Sequence, residues 1–195
     1  MKKKSMIELQ RISCEEFKTV QKIPLVVVLD DVRSLNNIGS IFRTADAFLI
    51  HHICLCGITA TPPHPDIHKT ALGAEESVDW VYYDDVCSAI DDLWSKGYKI
   101  CSIEQVKGSL NFSQFIINKD DKYAVIFGNE VKGVKQEAVD MSDCCIEIPQ
   151  CGTKHSLNVS ITAGIVMWDF FKKLHWLTRL LTILLLFNYF IFSIL

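Results

Sequence analysis

Six short runs rich in apolar and β-branched residues punctuate this chain and constrain its fold more than any other feature. "LVVVLD" (25–30), "HHICLC" (51–56), "VDWVYY" (78–83), "YKICSI" (98–103), "YAVIFG" (123–128) and "CCIEIP" (144–149) are each of strand length. The most apolar of them have no polar face to offer solvent, which is the pattern of strands covered on both sides, as in a parallel sheet. Between them lie stretches that read as helices, about 37–49, 65–72, 85–96, 134–141 and 156–174. Strand and helix alternate, so the fold class is α/β, a mostly parallel sheet flanked by helices. Ligands of such sheets bind beyond the carboxyl ends of the strands, so the informative residues are those that follow each run.

Length and charge narrow the options. A chain of 195 residues suits one domain with an appendage. The formal net charge is −3, so any nucleic-acid contact must come from a local basic patch. The 8 cysteines include no C-x-x-C pair and mostly lie inside the apolar runs, which predicts small buried hydrophobes in a reducing compartment. "MKKKSMIEL" has a basic start without the apolar core of a secretory signal, and the expected location is cytoplasmic.

Ser5 with Glu8 makes a capping box and predicts a short helix to about Thr19. The organisation read from the chain is an N-terminal helical extension (1–22), a main domain (23–173) and a hydrophobic tail (174–195). The sixteen residues "LLTILLLFNYFIFSIL" (180–195) carry no charge. As a helix they reach about 24 Å, short of a hydrocarbon core of roughly 30 Å. Membrane contact, an added packed helix and an incidental extension all remain readings of the tail.

Three of the post-strand segments carry chemistry. In "NNIGSIFRTADAF", Asn37 and Gly39 open a helix, Gly39 allows close approach of a ligand, and Arg43 offers a guanidinium suited to a bidentate phosphate contact. In "IFGNEVKGV", Gly128 and Gly133 bracket a tight turn holding Asn129 and Glu130. In "IPQCGTKHSLNVSITAGI", Ser156 reads as the N-cap of a helix apolar on all faces, and such a helix is expected to be buried. Cys151 with His155 also admits a thiol hydrolase, although no third group accompanies the pair.

In this order and approximate spacing, the three segments resemble the three motifs of the SpoU/TrmH-type RNA ribose 2′-O-methyltransferases, of the SPOUT class. The resemblance spans roughly residues 23–173. It implies a C-terminal trefoil knot, S-adenosyl-L-methionine as cofactor, tRNA or rRNA as substrate, and a homodimer paired through the knot-region helices. By motif position, Gly128, Ile148 and Leu157 would contact the cofactor. Arg43 would be the catalytic residue, as base or as the group that positions a phosphate, with Asn37 orienting Arg43 or the ribose. Glu130 would brace its loop, and Ser156 and Asn158 would complete a polar floor. Lys2, Lys3, Lys4, Arg11, Lys18, Lys22 and Arg33 would be RNA phosphate contacts. A catalytically silent, knotted RNA-binding or assembly factor is the alternative.

Overall fold

A computed structural model describes residues 1–176 except Met6 and Gln10. Seven strands form one parallel sheet: β1 (Ile23–Asp30), β2 (Ile50–Cys56), β3 (Trp80–Tyr83), β4 (Tyr98–Ile103), β5 (Leu110–Asn111), β6 (Lys122–Phe127) and β7 (Cys144–Glu147), in the order β3-β2-β1-β6-β4-β7-β5. The helices are α1 (Cys14–Thr19), α2 (Leu35–Ala47), α3 (Pro65–Ala71), α4 (Ala74–Ser77), α5 (Val86–Ser95), α6 (Gln136–Met141) and α7 (Val159–Phe171). The expected parallel α/β architecture is therefore present.

Period-two alternation along the central strands feeds two cores. Leu25, Val27 and Leu29 of β1 face α2, α3 and α7, together with Tyr123, Val125 and Phe127 of β6. Val26 and Val28 face the opposite side, with Ala124 and Ile126, against α5 and α6. Both faces of β1 are fully buried, which is why its sequence shows no polar alternation.

The chain runs outward from β1 through β2 to β3, then crosses to the other half of the sheet. β1 and β6 are hydrogen-bonded neighbours at this reversal. The loops leaving their carboxyl ends flank the crevice where such sheets take ligands. From β7 the chain returns to pack α7 against α2.

Several local expectations are corrected. The Ser5–Glu8 box forms, with the Ser5 hydroxyl 2.7 Å from Glu8 Oε2, but it caps only a 3-10 turn at Ile7–Leu9. A second box, Ser13 with Glu16, opens α1. Helix α7 begins at Val159 rather than 156, because Asn158 and not Ser156 is its N-cap. The two-residue β5 and the single-turn α4 had no sequence signature. Helix α7 is not buried all round: Ala163, Val166, Met167 and Phe170 are, whereas Ile161 is 57% and Trp168 47% exposed. Among the described residues no helix is long and apolar enough to cross a membrane. Residues 177–195, and with them most of the proposed tail, lie outside the described residues.

Gly39 also has a different duty from the one expected. A Cβ there would lie 2.2 Å from Ile67 O and 2.2 Å from Thr70 Oγ1, so the glycine admits α3 against α2, not a ligand. Gly39→Ala is therefore expected to destabilise the domain by about 2 kcal/mol, the range of core overpacking. A thermal-unfolding midpoint lowered by several degrees would show it, and an unchanged midpoint would refute the packing account.

Candidate active site

The site is assembled by the carboxylate of Glu130, three residues beyond β6. It accepts the backbone N–H of Arg33 (3.0 Å) and of Ser34 (3.0 Å), both in the loop after β1. It also accepts Asn37 Nδ2 at 3.1 Å. Asn37 Oδ1 in turn accepts Asn158 Nδ2 at 3.2 Å, and Asn158 Oδ1 caps α7 through Ser160 N (2.8 Å). Glu130, Asn37 and Asn158 thus link the loops after β1, β6 and β7 in one hydrogen-bonded chain.

Further contacts fix the β1 and β6 loops. Asn129 Nδ2 donates to Asp31 O at 2.8 Å, and its Oδ1 accepts Val131 N and Lys132 N, closing the turn. Asp30, at the end of β1 and 1% exposed, accepts Lys135 N at 3.0 Å. Lys135 Nζ lies 3.2 Å from Asp30 and 2.8 Å from Asp31. Burial disfavours the Lys135 charge, but the bonds to Asp31 and Asp30 outweigh it and hold the ammonium above its ordinary range.

Glu130 shows the same contest. Its partial burial pushes the pKa up, but the N–H groups of Arg33 and Ser34 and the amide of Asn37 stabilise the anion and leave it below the ordinary value.

These loops border a cleft of roughly 630 Å³. Gly128, Glu130, Ile148, Ser156, Leu157 and Asn158 all line it, as their motif positions imply. A Cβ at Gly128 would lie 2.1 Å from the backbone of Gly133 and Val134, so only glycine lets the turn fold back there. Asn129 and Gly133 exchange backbone hydrogen bonds at 3.0 and 2.8 Å across that turn. Its walls mix apolar side chains, Ile103, Val106, Ile148 and Leu157, with charged and amide ones such as Glu104, Gln105 and Lys132, so it can take a ligand with both a flat apolar part and polar groups.

Two expected residues fall elsewhere. Arg43 lies in the third turn of α2, is exposed, and makes no hydrogen bond or ion pair among the described residues. Neither Arg43 nor Asn37 lines the cleft. Asn37 makes no hydrogen bond to Arg43, five helical residues lying between them; its amide serves Glu130 and Asn158. Lys22 is not a free phosphate contact either, since its ammonium donates to Phe17 O and sits 4.0 Å from the Phe17 ring centroid. Glu104 and Gln105, directly after β4, also line the cleft and were not singled out by motif. Their position after a central strand was the available signal.

The model of the SpoU rRNA Methylase family matches residues 24–168. The chain belongs to this family. It is 28% identical over 144 residues to a 23S rRNA (guanosine-2'-O-)-methyltransferase, RlmB, of Neisseria meningitidis, covering 74% of this chain and 56% of the relative. It is 27% identical over 158 residues to a TrmH family tRNA/rRNA methyltransferase of Staphylococcus aureus, covering 81% of this chain and 62% of the relative. The chain thus spans about three fifths of the length of these curated relatives. Among solved structures, an AdoMet-bound rRNA methyltransferase from Sinorhizobium meliloti superposes with a TM-score of 0.71 at 26% identity, covering 79% of this chain and 59% of that one. The A. aeolicus TrmH/SpoU tRNA modifying enzyme gives 0.71 at 26% identity, with 82% and 79% covered.

The Glu130 bonds carry a pH dependence with a definite sign. A carboxylate whose folded pKa is depressed contributes stability that is complete above its unfolded value and lost as pH falls through the folded one. The unfolding midpoint of the wild-type chain should therefore fall on acidification below the glutamate range, and Glu130→Gln should flatten that fall. Identical pH profiles for the two proteins would contradict the assignment.

Proposed function

We propose that this chain transfers a methyl group from S-adenosyl-L-methionine to a ribose 2′-hydroxyl of tRNA or rRNA, as a cytoplasmic homodimer whose methyltransferase unit is residues 23–173. The observation that carries the reading is the joining of the three family motifs at one cleft by Glu130, Asn37 and Asn158. The return of the chain from β7 to pack α7 on α2 supports the threaded, knotted path of the family.

The residues present fit the cofactor. Gly128 keeps the turn bare of side chains, Ile148 and Leu157 supply apolar walls, and the loops after β6 and β7 supply main-chain groups for an adenine edge. The bound cofactor would furnish an electrophilic methyl group on a sulfonium. A ribose hydroxyl attacks such a carbon only when it is oriented and its developing negative charge is met. Arg43 would meet it from the partner's chain, by holding the adjacent RNA phosphate. Because a guanidinium gives up its proton reluctantly, charge stabilisation suits it better than general-base work. Arg33 and Lys132 line a second cleft on the far side of the 129–134 loop, where they would engage neighbouring phosphates.

Dimerisation would explain why Arg43 stands apart from the cleft of its own chain. The exposed face of α7 carries Ile161, Ile165 and Trp168, and Trp168 packs 5.5 Å from the Phe48 ring at the end of α2. An apolar face of this kind beside Arg43 supports pairing that brings Arg43 to the partner's cofactor.

Methyl transfer from labelled cofactor into unmodified RNA tests the reaction. Arg43→Ala should lower it about 10²–10³-fold, the size expected for loss of one charge-stabilising donor, with cofactor affinity unchanged. Undiminished transfer would refute the role, while binding without transfer to any RNA would favour the silent RNA-binding factor. In sedimentation equilibrium, Trp168→Glu should convert a dimer to a monomer. A dimer that survives the charge would place the interface elsewhere.

A further inference from the structure

Two consecutive residues, Glu104 and Gln105, touch both walls of the cleft. Glu104 opens the loop after β4, and its N–H donates to Ile146 O of β7 at 3.1 Å, which anchors the residue to the sheet. Its Oε2 accepts Val134 N at 2.9 Å, at the far end of the turn that carries Gly128 and Glu130. That contact is close-packed: a Cβ on Gly133 would lie 2.2 Å from the same oxygen, and Gly133 has a φ of 71°. Gln105 Nε2 donates to His155 O at 2.9 Å, one residue before Ser156 and two before Leu157. The Glu130 chain ties these walls to the loop after β1; nothing in it joins them from the β4 side.

Resting on the cofactor reading above, we propose that Glu104 and Gln105 are positioning residues, a clasp that sets the width of the cofactor cleft. One half holds the wall from β6 through a backbone N–H, the other holds the wall from β7 through a carbonyl. The two halves are adjacent in sequence at the start of the loop after β4, which lies between β6 and β7 in the sheet, so both walls are held from one short stretch that the Glu104 N–H anchors to β7. Gln105 is exposed and the His155 segment around it is exposed throughout, so its single side-chain bond is the main restraint the β4 loop places on that wall. Without it, a cofactor must order the wall on binding, and affinity falls by that ordering.

The test uses the full chain and two readouts. Gln105→Glu is nearly isosteric but has no donor for His155 O, and Glu104→Ala removes the acceptor for Val134 N. Glu104 Oε1 also accepts the N–H of Gln105 at 2.9 Å, so Glu104→Gln keeps one acceptor oxygen for Val134 N and gives up only that local bond. Calorimetric titration with S-adenosylmethionine should show Kd raised about tenfold in Gln105→Glu and in Glu104→Ala, the scale of one well-formed hydrogen bond, and within about twofold of wild type in Glu104→Gln. Amide exchange without cofactor should quicken around 155–158 in the first variant and around 131–134 in the second, with the unfolding midpoint of Gln105→Glu unchanged. Wild-type binding with unaltered Kd and exchange in both variants would overturn the clasp and spare the cofactor reading. A wild-type chain that binds no S-adenosylmethionine would overturn both, even where exchange responds.

Discussion

The three-donor grip on the Glu130 carboxylate is the contact on which the site depends. An anion held by two backbone N–H groups and a side-chain amide is well oriented: Oε2 accepts Arg33 N, while Oε1 accepts both Ser34 N and Asn37 Nδ2. Two donors come from the loop after β1, the third from the first turn of α2 and the acceptor from the loop after β6, so the bonds span more than ninety positions of sequence. Everything else at the cleft is arranged around them. Asn37, once fixed by Glu130, is free to accept from Asn158, and Asn158 then caps the helix that closes the fold.

That arrangement is possible because of where the sheet reverses. β1 and β6 pair in parallel through Leu25–Leu29 and Tyr123–Phe127, so their carboxyl ends emerge side by side. Both faces of β1 are buried at this junction, so the loops are launched from a packed strand pair. The ion pairs of Lys135 with Asp30 and Asp31 add a second tie at the same junction. Glu104 and Gln105, from the neighbouring β4, complete the frame on the other side of β6.

Much of this was legible in the residues. The runs at 25–30 and 123–128 read as doubly buried strands because no polar position interrupts them before Asp30 and Gly128. Glu130, Asn158 and Gly128 stood out by motif position and do converge. What the sequence hid were relations between segments. Ser156 and Asn158 are equally good caps by residue type, and only the path of the chain from β7 chooses Asn158. Gly39 looked like a ligand-facing glycine because its neighbour on the far helix is invisible from sequence. The exposed side of α7 read as core, since an apolar composition does not say which side of a helix its own chain covers. The clasp at Glu104 has no pattern of its own; only its place after β4 gives it meaning.

Joining motifs from three loops makes sense only if the cleft they border receives the cofactor. A crystal structure of the chain with S-adenosylmethionine tests that most directly. The account predicts an adenine seated between Ile148 and Leu157, with hydrogen bonds from the main chain beside them and the turn at Gly128 alongside. A cofactor bound outside this cleft, with the Glu130 bonds undisturbed, would contradict it.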